Sequence, residues 1–381
     1  MKVSLTDICD FQGGTQPPKD EWIDQPAQGY VRMLQIRDFT QSDKNYIEYV
    51  KDTGKLKTCI EDDILIGRYG ASIGKILTGL AGAYNVAIVK TIPDEKVVSK
   101  KYLYWYLNSQ YFQRFISNVG SRAAQAGFNK NDLGAAQIPL VDKERQEEIC
   151  EVLEKANKLI SLRKQQLAKL DELVKARFVE MFGDEQAFNK EPLSQNVEEM
   201  FIGPFGSSLK NESFVSKENG YCMVYEQKHA IRKTMDVETR YIDKPKYEEL
   251  KRFSIHGGDI IVSCRGTIGE TYIVPLNAPL GIMHPSIMKI RVKDSIYNRV
   301  FFDFLLQEKL MQHEAQANGS GVKMAVTASA LGKEEFIVPS IPFQNQFAAF
   351  AERVDQQKQT IQQSLEKLEL MKKALMQEYF G

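Results

Sequence analysis

Two short glycine-rich segments carry the residues best suited to chemistry. The first runs Asp63-Ile64-Leu65-Ile66-Gly67-Arg68-Tyr69-Gly70-Ala71-Ser72-Ile73-Gly74. The second runs Asp259-Ile260-Ile261-Val262-Ser263-Cys264-Arg265-Gly266-Thr267-Ile268-Gly269, one residue shorter. The apolar triplets at 64–66 and 260–262 read as buried strands, and the glycines permit a tight turn with exposed backbone. An arginine beside a small hydroxyl on such a turn, Arg68 with Ser72 or Arg265 with Thr267, suits phosphate contacts or bidentate reading of guanine. The other reading is an ordinary hairpin whose arginine caps a globule.

Catalytic constellations do not assemble. Gly70-Ala71-Ser72-Ile73-Gly74-Lys75-Ile76 resembles a P-loop but is one residue short and lacks the hydroxyl that would hold magnesium. His229, His256, His284 and His313 have no metal-ligand spacing. No Asn/Asp-Pro-Pro-Tyr/Phe loop of an amino-methyltransferase occurs; Gln16-Pro17-Pro18-Lys19 lacks its first residue type and its aromatic. Pro93-Asp94 has no acidic residue among 100–130 to complete a nuclease metal site, so it reads as a turn. No nucleophile elbow is present. Five scattered cysteines, never spaced Cys-x-x-Cys, fit reduced thiols in a cytoplasm.

Charge adds a direction. The 381 residues hold 50 Lys+Arg against 50 Asp+Glu, which argues against a protein that simply coats nucleic acid. Locally, residues 51–130 carry 12 basic against 6 acidic residues, whereas the first 50 carry 5 against 8. A second basic run, 228–252, holds Lys228, Arg232 and Lys233 with tyrosines between its charges, and also several acids. A solvated loop is the plain alternative there. No apolar run approaches the roughly 18 residues of a membrane span, and the start of the chain shows no apolar signal segment.

The elements that must position these residues come twice. Beside the glycine-rich pair, Asn85-Val86-Ala87-Ile88 faces His284-Pro285-Ser286-Ile287. Ile138-Pro139 with Gln146 faces Val338-Pro339 with Gln346, and Glu180-Met181-Phe182-Gly183 faces Glu378-Tyr379-Phe380-Gly381. Four collinear matches, each 195 to 200 residues apart, mark a tandem duplication. Each copy opens with strand and turn signals and one helix-like stretch, 100–118 or 296–316, giving an α+β globule. Each then continues into a helical pattern free of Pro and Gly. Ile149, Leu153, Ile160, Leu167, Leu170 and Val174, then Phe350, Val354, Ile361, Leu368 and Leu375, form a seam alternating by three and four. Polar breaks at Arg163, Arg177, Gln357 and Ser364 interrupt it, where Leu162 and Leu365 could shift the register. Gly183 and Gly381 stand where a helix C-cap belongs. A helix of this length spans about 57 Å, and two of them pairing antiparallel would hold the globules at opposite ends. Packing of each helix on its own globule is the alternative.

With these motifs in this order, the chain resembles the specificity subunit of a type I restriction-modification enzyme. The resemblance implies an α+β fold: two tandem target-recognition domains of mixed α/β structure, joined by two long helices pairing as an antiparallel coiled coil with pseudo-twofold symmetry. Its parts would be 1–141 and 184–342 for the target-recognition domains, and 142–183 and 343–381 for the helical regions. It implies a non-catalytic chain that binds double-stranded DNA, each globule reading half of a bipartite target. The helices would dock two modification (methyltransferase) subunits and, through them, restriction subunits, in the cytoplasm. This chain would bind no cofactor or metal; S-adenosylmethionine, ATP and Mg would belong to the partner subunits. The residues assigned to DNA on this reading are Arg68, Tyr69, Ser72, Lys75, Arg122 and Lys130 in the first globule, and Lys228, Arg232, Lys233, Arg265, Thr267 and Lys323 in the second. Two readings from other classes stand beside it: a nucleic-acid enzyme with a dispersed active site, and a coiled-coil adaptor whose globules bind protein.

Overall fold

The short apolar runs become strands, and the same sheets are built twice. The computed structural model describes residues 1–41, 46–122, 127–264, 267–320 and 327–381, excepting the side chains of 120–122 and 313–320. It separates into two units, one of Met1–Gln166 with Ile361–Gly381 and one of Leu167–Thr360. In the first, Lys2–Ser4 pairs antiparallel with Gln137–Pro139. A four-stranded antiparallel sheet follows the order Cys9–Gly13, Ile88–Pro93, Leu65–Gly67, Ile76–Leu77. A third sheet contains the parallel pair Tyr30–Leu34 and Gly82–Tyr84. The second unit repeats each: Lys190–Pro192 with Glu335–Ile337; the order Val197–Ile202, Ile287–Val292, Ile260–Ser263, Thr271–Ile273; and the parallel pair Cys222–Tyr225 and Gly281–Met283.

The helix-like stretches differ between copies. In the second unit one helix runs Arg299–Ser320. In the first it breaks into Lys100–Leu107 and Gln110–Arg122, because the Ser109 hydroxyl takes the Phe112 N–H and the Asn108 amide turns back to the Tyr104 carbonyl. Side chains that compete for backbone groups in this way end helices.

A buried glutamine locks each long helix to its globule. Gln146 Oε1 accepts the Ser99 N–H at 2.9 Å, while its Nε2 donates to the carbonyls of Val97 and Val141. Gln344 repeats the network with the Asn298 N–H and the carbonyls of Ile296 and Pro339. The structural counterpart of Gln146 is therefore Gln344, not the exposed Gln346 that sequence matching pairs with it. Both glutamines are fully buried, so removing either amide strands polar backbone groups away from water. Gln146→Leu is expected to cost about 1–3 kcal/mol of unfolding free energy, measured by urea denaturation; a loss indistinguishable from zero would show that the network is replaceable.

The long helices run Lys143–Phe182 and Ile341–Phe380. In the first unit Lys164 meets Glu369 at 2.9 Å and Lys372 meets Asn157 at 2.7 Å. Numbers rise on one helix as they fall on the other, which is antiparallel pairing. In the second unit the Phe178–Phe347 and Phe182–Phe343 ring contacts give the same sense. All the seam residues named from sequence are buried or half-buried. On the second helix the stripe nonetheless moves over by one position: Ala351 and Leu365 are buried while Gln357 and Met371 are exposed. Leu365 shifts the register; Leu162 stays exposed and does not. The helices also join the globular cores. Ile149, Leu153 and Phe380 belong to the first, and Val174, Phe178, Phe182, Phe347 and Val354 to the second. Gly183 adopts no left-handed cap; its N–H simply continues to the Val179 carbonyl. Among the described residues no helix is long and apolar enough to cross a membrane.

Candidate nucleic-acid interface

In the first unit the glycine-rich segment leaves the strand Leu65–Gly67 and turns through Gly70–Ser72 before the strand Ile76–Leu77. Gly67 lies so close to the turn that a Cβ would sit 2.2 Å from the Ser72 carbonyl oxygen, and Gly70 and Gly74 take positive φ. These are conformations that only glycine adopts without strain. From behind, Gln113 Nε2 donates to the Gly74 carbonyl at 2.9 Å. The turn is thus held on a packed scaffold, with Arg68, Tyr69, Ser72 and Lys75 all on it.

Arg68 is half-buried, and its Nε donates to the Phe128 carbonyl at 2.9 Å. Its guanidinium lies 5.0 Å from the Tyr69 ring centroid. Tyr69 in turn bridges Gly127, where any side chain would collide with the tyrosine ring. Three residues on, Lys130 opens a short helix and pairs with Asp10. That ammonium and the Phe11 N–H hold the Asp10 carboxyl below the usual carboxylate range. So Arg68 and Tyr69 tie the hairpin to the segment 127–128 just before Lys130, and Lys130 ties that segment to Asp10, through contacts 58 to 120 residues apart in the chain. Sequence reasoning missed Asp10 and the Phe128 carbonyl, because no local signal announces either. Lys55, Lys57 and Lys75 are exposed. Lys90 and Lys100, by contrast, are spent on Asp63. Burial opposes ionisation of Asp63, yet the Ile60 N–H and the two ammoniums keep it below its ordinary value. The side chain of Arg122 lies outside the described residues.

With one edge tied by Nε, the Arg68 head keeps its terminal nitrogens in a fixed direction, as a bidentate contact requires. Arg68→Ala is expected to weaken specific duplex binding by about 1–3 kcal/mol if those nitrogens read a base. The check is a pair of titrations, on target and on scrambled duplex, across salt concentrations. A uniform loss on both, with a shallower salt slope, would assign Arg68 to phosphate instead.

The second unit repeats the scaffold with different chemistry. Gly67 and Ser263 hold the same ladder position, opposite Ile88 and Ile287. Arg68 N–H reaches the Ala87 carbonyl and Cys264 N–H the Ser286 carbonyl. Cys264 therefore stands where Arg68 does, and Arg265 follows one place later; Arg265 and Lys323 lie outside the described residues. Thr267 is exposed. Lys228, Arg232 and Lys233 belong to the short helix Gln227–Arg232 and its cap, which packs on both strands flanking the turn. Lys228 and Arg240 both pair with the buried Glu226. Burial alone would raise the Glu226 pKa, but these two cations hold it below the usual range. Lys246 and Lys251 pair with Glu249 and Glu248. Much of the basic run is thus internally neutralised, while Arg232 and Lys233 remain exposed and Lys233 reaches the Gln307 amide oxygen at 3.4 Å. Among the described residues no cluster of His, Cys, Asp and Glu could hold a metal ion.

Comparison with known proteins agrees with this double scaffold. Residues 1–172 and 202–370 match the model of the type I restriction modification DNA specificity domain. The type I restriction enzyme MjaVIII specificity subunit of Methanocaldococcus jannaschii is 25% identical over 183 residues, which is 47% of this chain; the chain spans only 41% of that relative's length. Two solved structures share the fold at 14% identity. One is a chain from work on complex assembly and conformational transition of a type I R-M system, with a TM-score of 0.64, covering 100% of this chain and 97% of the other. The second is the S subunit of a type I restriction-modification system from M. genitalium, with a TM-score of 0.58 and coverages of 100% and 96%.

Proposed function

The chain belongs to the type I restriction modification DNA specificity family, and from that premise we propose that it is the DNA-reading subunit of such a complex. Each globule reads one half of a bipartite duplex target. The long helices dock two modification subunits, which carry S-adenosylmethionine, and restriction subunits with their ATP and Mg join through them. The chain itself catalyses nothing, binds no cofactor and works in the cytoplasm. The observation that supports this best is the repeated scaffold: one strand order and one glycine-rich turn occur twice, with Arg68 on the first turn and Cys264 in its place on the second. Two copies of one frame with different side chains at the same station suit two different half-sites.

The purified chain should neither methylate nor cleave duplex DNA, and adding the modification subunit should produce methylation at one asymmetric sequence. Transfer of a labelled methyl group by the chain alone would favour the dispersed-site enzyme. A stable assembly with the modification subunit that ignores DNA would favour the adaptor.

A further inference from the structure

Both units contain a cleft bounded by the two long helices and a globular helix, and several lining residues of the two clefts correspond. The glutamine networks align Ser99 with Asn298 and Gln146 with Gln344. The buried ends Phe182 and Phe380 align the other helix strands. On that register Trp105 corresponds to Phe304, Asn157 to Asp355 and Lys372 to Val174, and all six line their respective clefts. In the first unit Lys372 reaches into the cleft from the second long helix. It is half-buried, its Nζ donates to Asn157 Oδ1 at 2.7 Å and it lies 5.2 Å from the Trp105 ring centroid. An aromatic face and an oxygen acceptor favour an ammonium here, against burial and the nearby Lys164, which together hold the Lys372 pKa below its ordinary value.

In the second unit the lysine is missing and its surroundings are more acidic. Val174 stands in its place, Asp355 replaces Asn157, and Asp303 replaces Tyr104. The cavity grows from about 380 to about 800 Å³. Asp303 Oδ2 accepts from Gln307 Nε2 at 2.6 Å, but its Oδ1 is buried with no hydrogen-bond partner. Burial pushes the Asp303 pKa upward, only partly offset by the Thr271 hydroxyl, the Lys233 charge and the Gln307 amide, so its carboxyl is incompletely compensated. Lys233 reaches Gln307 at 3.4 Å while its charge also draws the Asp303 pKa down, and Lys358 pairs with Asp171 at 2.5 Å. Ile273, Val300, Phe304 and Val354 supply apolar wall. A carboxyl beside apolar wall residues in a mixed cavity fits a charged head on an alkyl stem.

We infer that the second unit's cleft, built around Asp303, Asp355 and Phe304, binds an alkylammonium group in the place that Lys372 occupies in the first unit. Two sources share this chemistry, a free amine and a lysine side chain of a docked protein.

Supplying the lysine in cis tests the site without any ligand. Val174→Lys should unfold at or above the wild-type midpoint temperature in the full chain, although lysine at a buried apolar position ordinarily destabilises. In an Asp303→Asn background the same substitution should lower the midpoint. In parallel, 1,5-diaminopentane is titrated against sodium chloride of equal ionic strength. A saturable rise of the wild-type midpoint, absent in Asp303→Asn, also establishes the site and identifies a free amine as its ligand. No rise, with Val174→Lys tolerated only when Asp303 is intact, identifies a protein lysine. If Val174→Lys is equally damaging in both backgrounds, or does not fold, and the amine gives no rise, the inference is overturned.

Discussion

Exchanging residues 1–141 for the corresponding part of a relative should replace one half of the methylated target sequence completely and leave the other half unchanged. The first globule carries its own three sheets and its own glycine-rich turn, so the reading surface proposed for it travels as one piece. The exchange point is also undemanding. Gln146 reaches across it to the Val141 carbonyl, a backbone group any residue supplies. The donor must bring aromatic residues at the places of Tyr102 and Tyr106, because Phe380 packs on them at 5.2 and 6.1 Å. Mapping methylated sites after assembly with the modification subunit gives the answer. A change in both halves would mean that the two readings are coupled; no change would place recognition outside this globule.

Much of the frame was legible because it repeats. Patterns such as residues 64–66 against 260–262 and the two Phe-Gly ends are carried by local sequence, and the strands and helix termini lie there. The sequence register was less exact where side chains rather than backbone decide it. The Gln146 match slipped by two because Gln344 and Gln346 are indistinguishable in a helical run, and only the polar groups left by each globule select between them. Arg68 and Arg265 look equivalent as letters, yet ladder pairing assigns Cys264 to the Arg68 position. On the second helix the polar breaks at Gln357 and Ser364 were real signals of a shifted stripe, which Leu365 takes up.

The interface was less legible than the frame, for an electrostatic reason. A count of basic residues cannot show which of them are neutralised by acids distant in sequence. Lys130 meets Asp10 across 120 residues, and Lys90 meets Asp63 across 27. In the second unit Asp259, fully buried, holds Arg291 in two hydrogen bonds of 2.7 and 2.9 Å. A buried carboxylate facing a guanidinium in this geometry is structural, since removing either partner leaves an uncompensated charge. Cations that remain exposed, such as Lys75 and Arg232, are the ones available to phosphates.

The largest loss of stability from a single side chain is expected at Phe182. Its ring is almost fully buried and lies 4.6 Å from Phe301, 5.1 Å from Phe343 and 5.8 Å from Phe347 by centroid. It thus stands where the end of the first long helix, the globular helix and the start of the second long helix converge. Helices have little room to close over a missing ring when each is fixed by its own contacts, here Gln344 at the second long helix and Asn298 capping the globular one. Phe182→Ala therefore combines lost transfer energy with a persistent cavity, about 3–5 kcal/mol. That is a large share of the roughly 5–15 kcal/mol that stabilises a typical domain. Val179→Ala, one turn earlier on the exposed side, should change stability by no more than about 0.5 kcal/mol and serves as the control. Urea unfolding of both variants, followed by tryptophan-independent far-UV dichroism because Trp22 and Trp105 lie in the first unit, separates the two expectations. A Phe182→Ala loss no larger than that of Val179→Ala would mean that the convergence of the three helices does not depend on this ring.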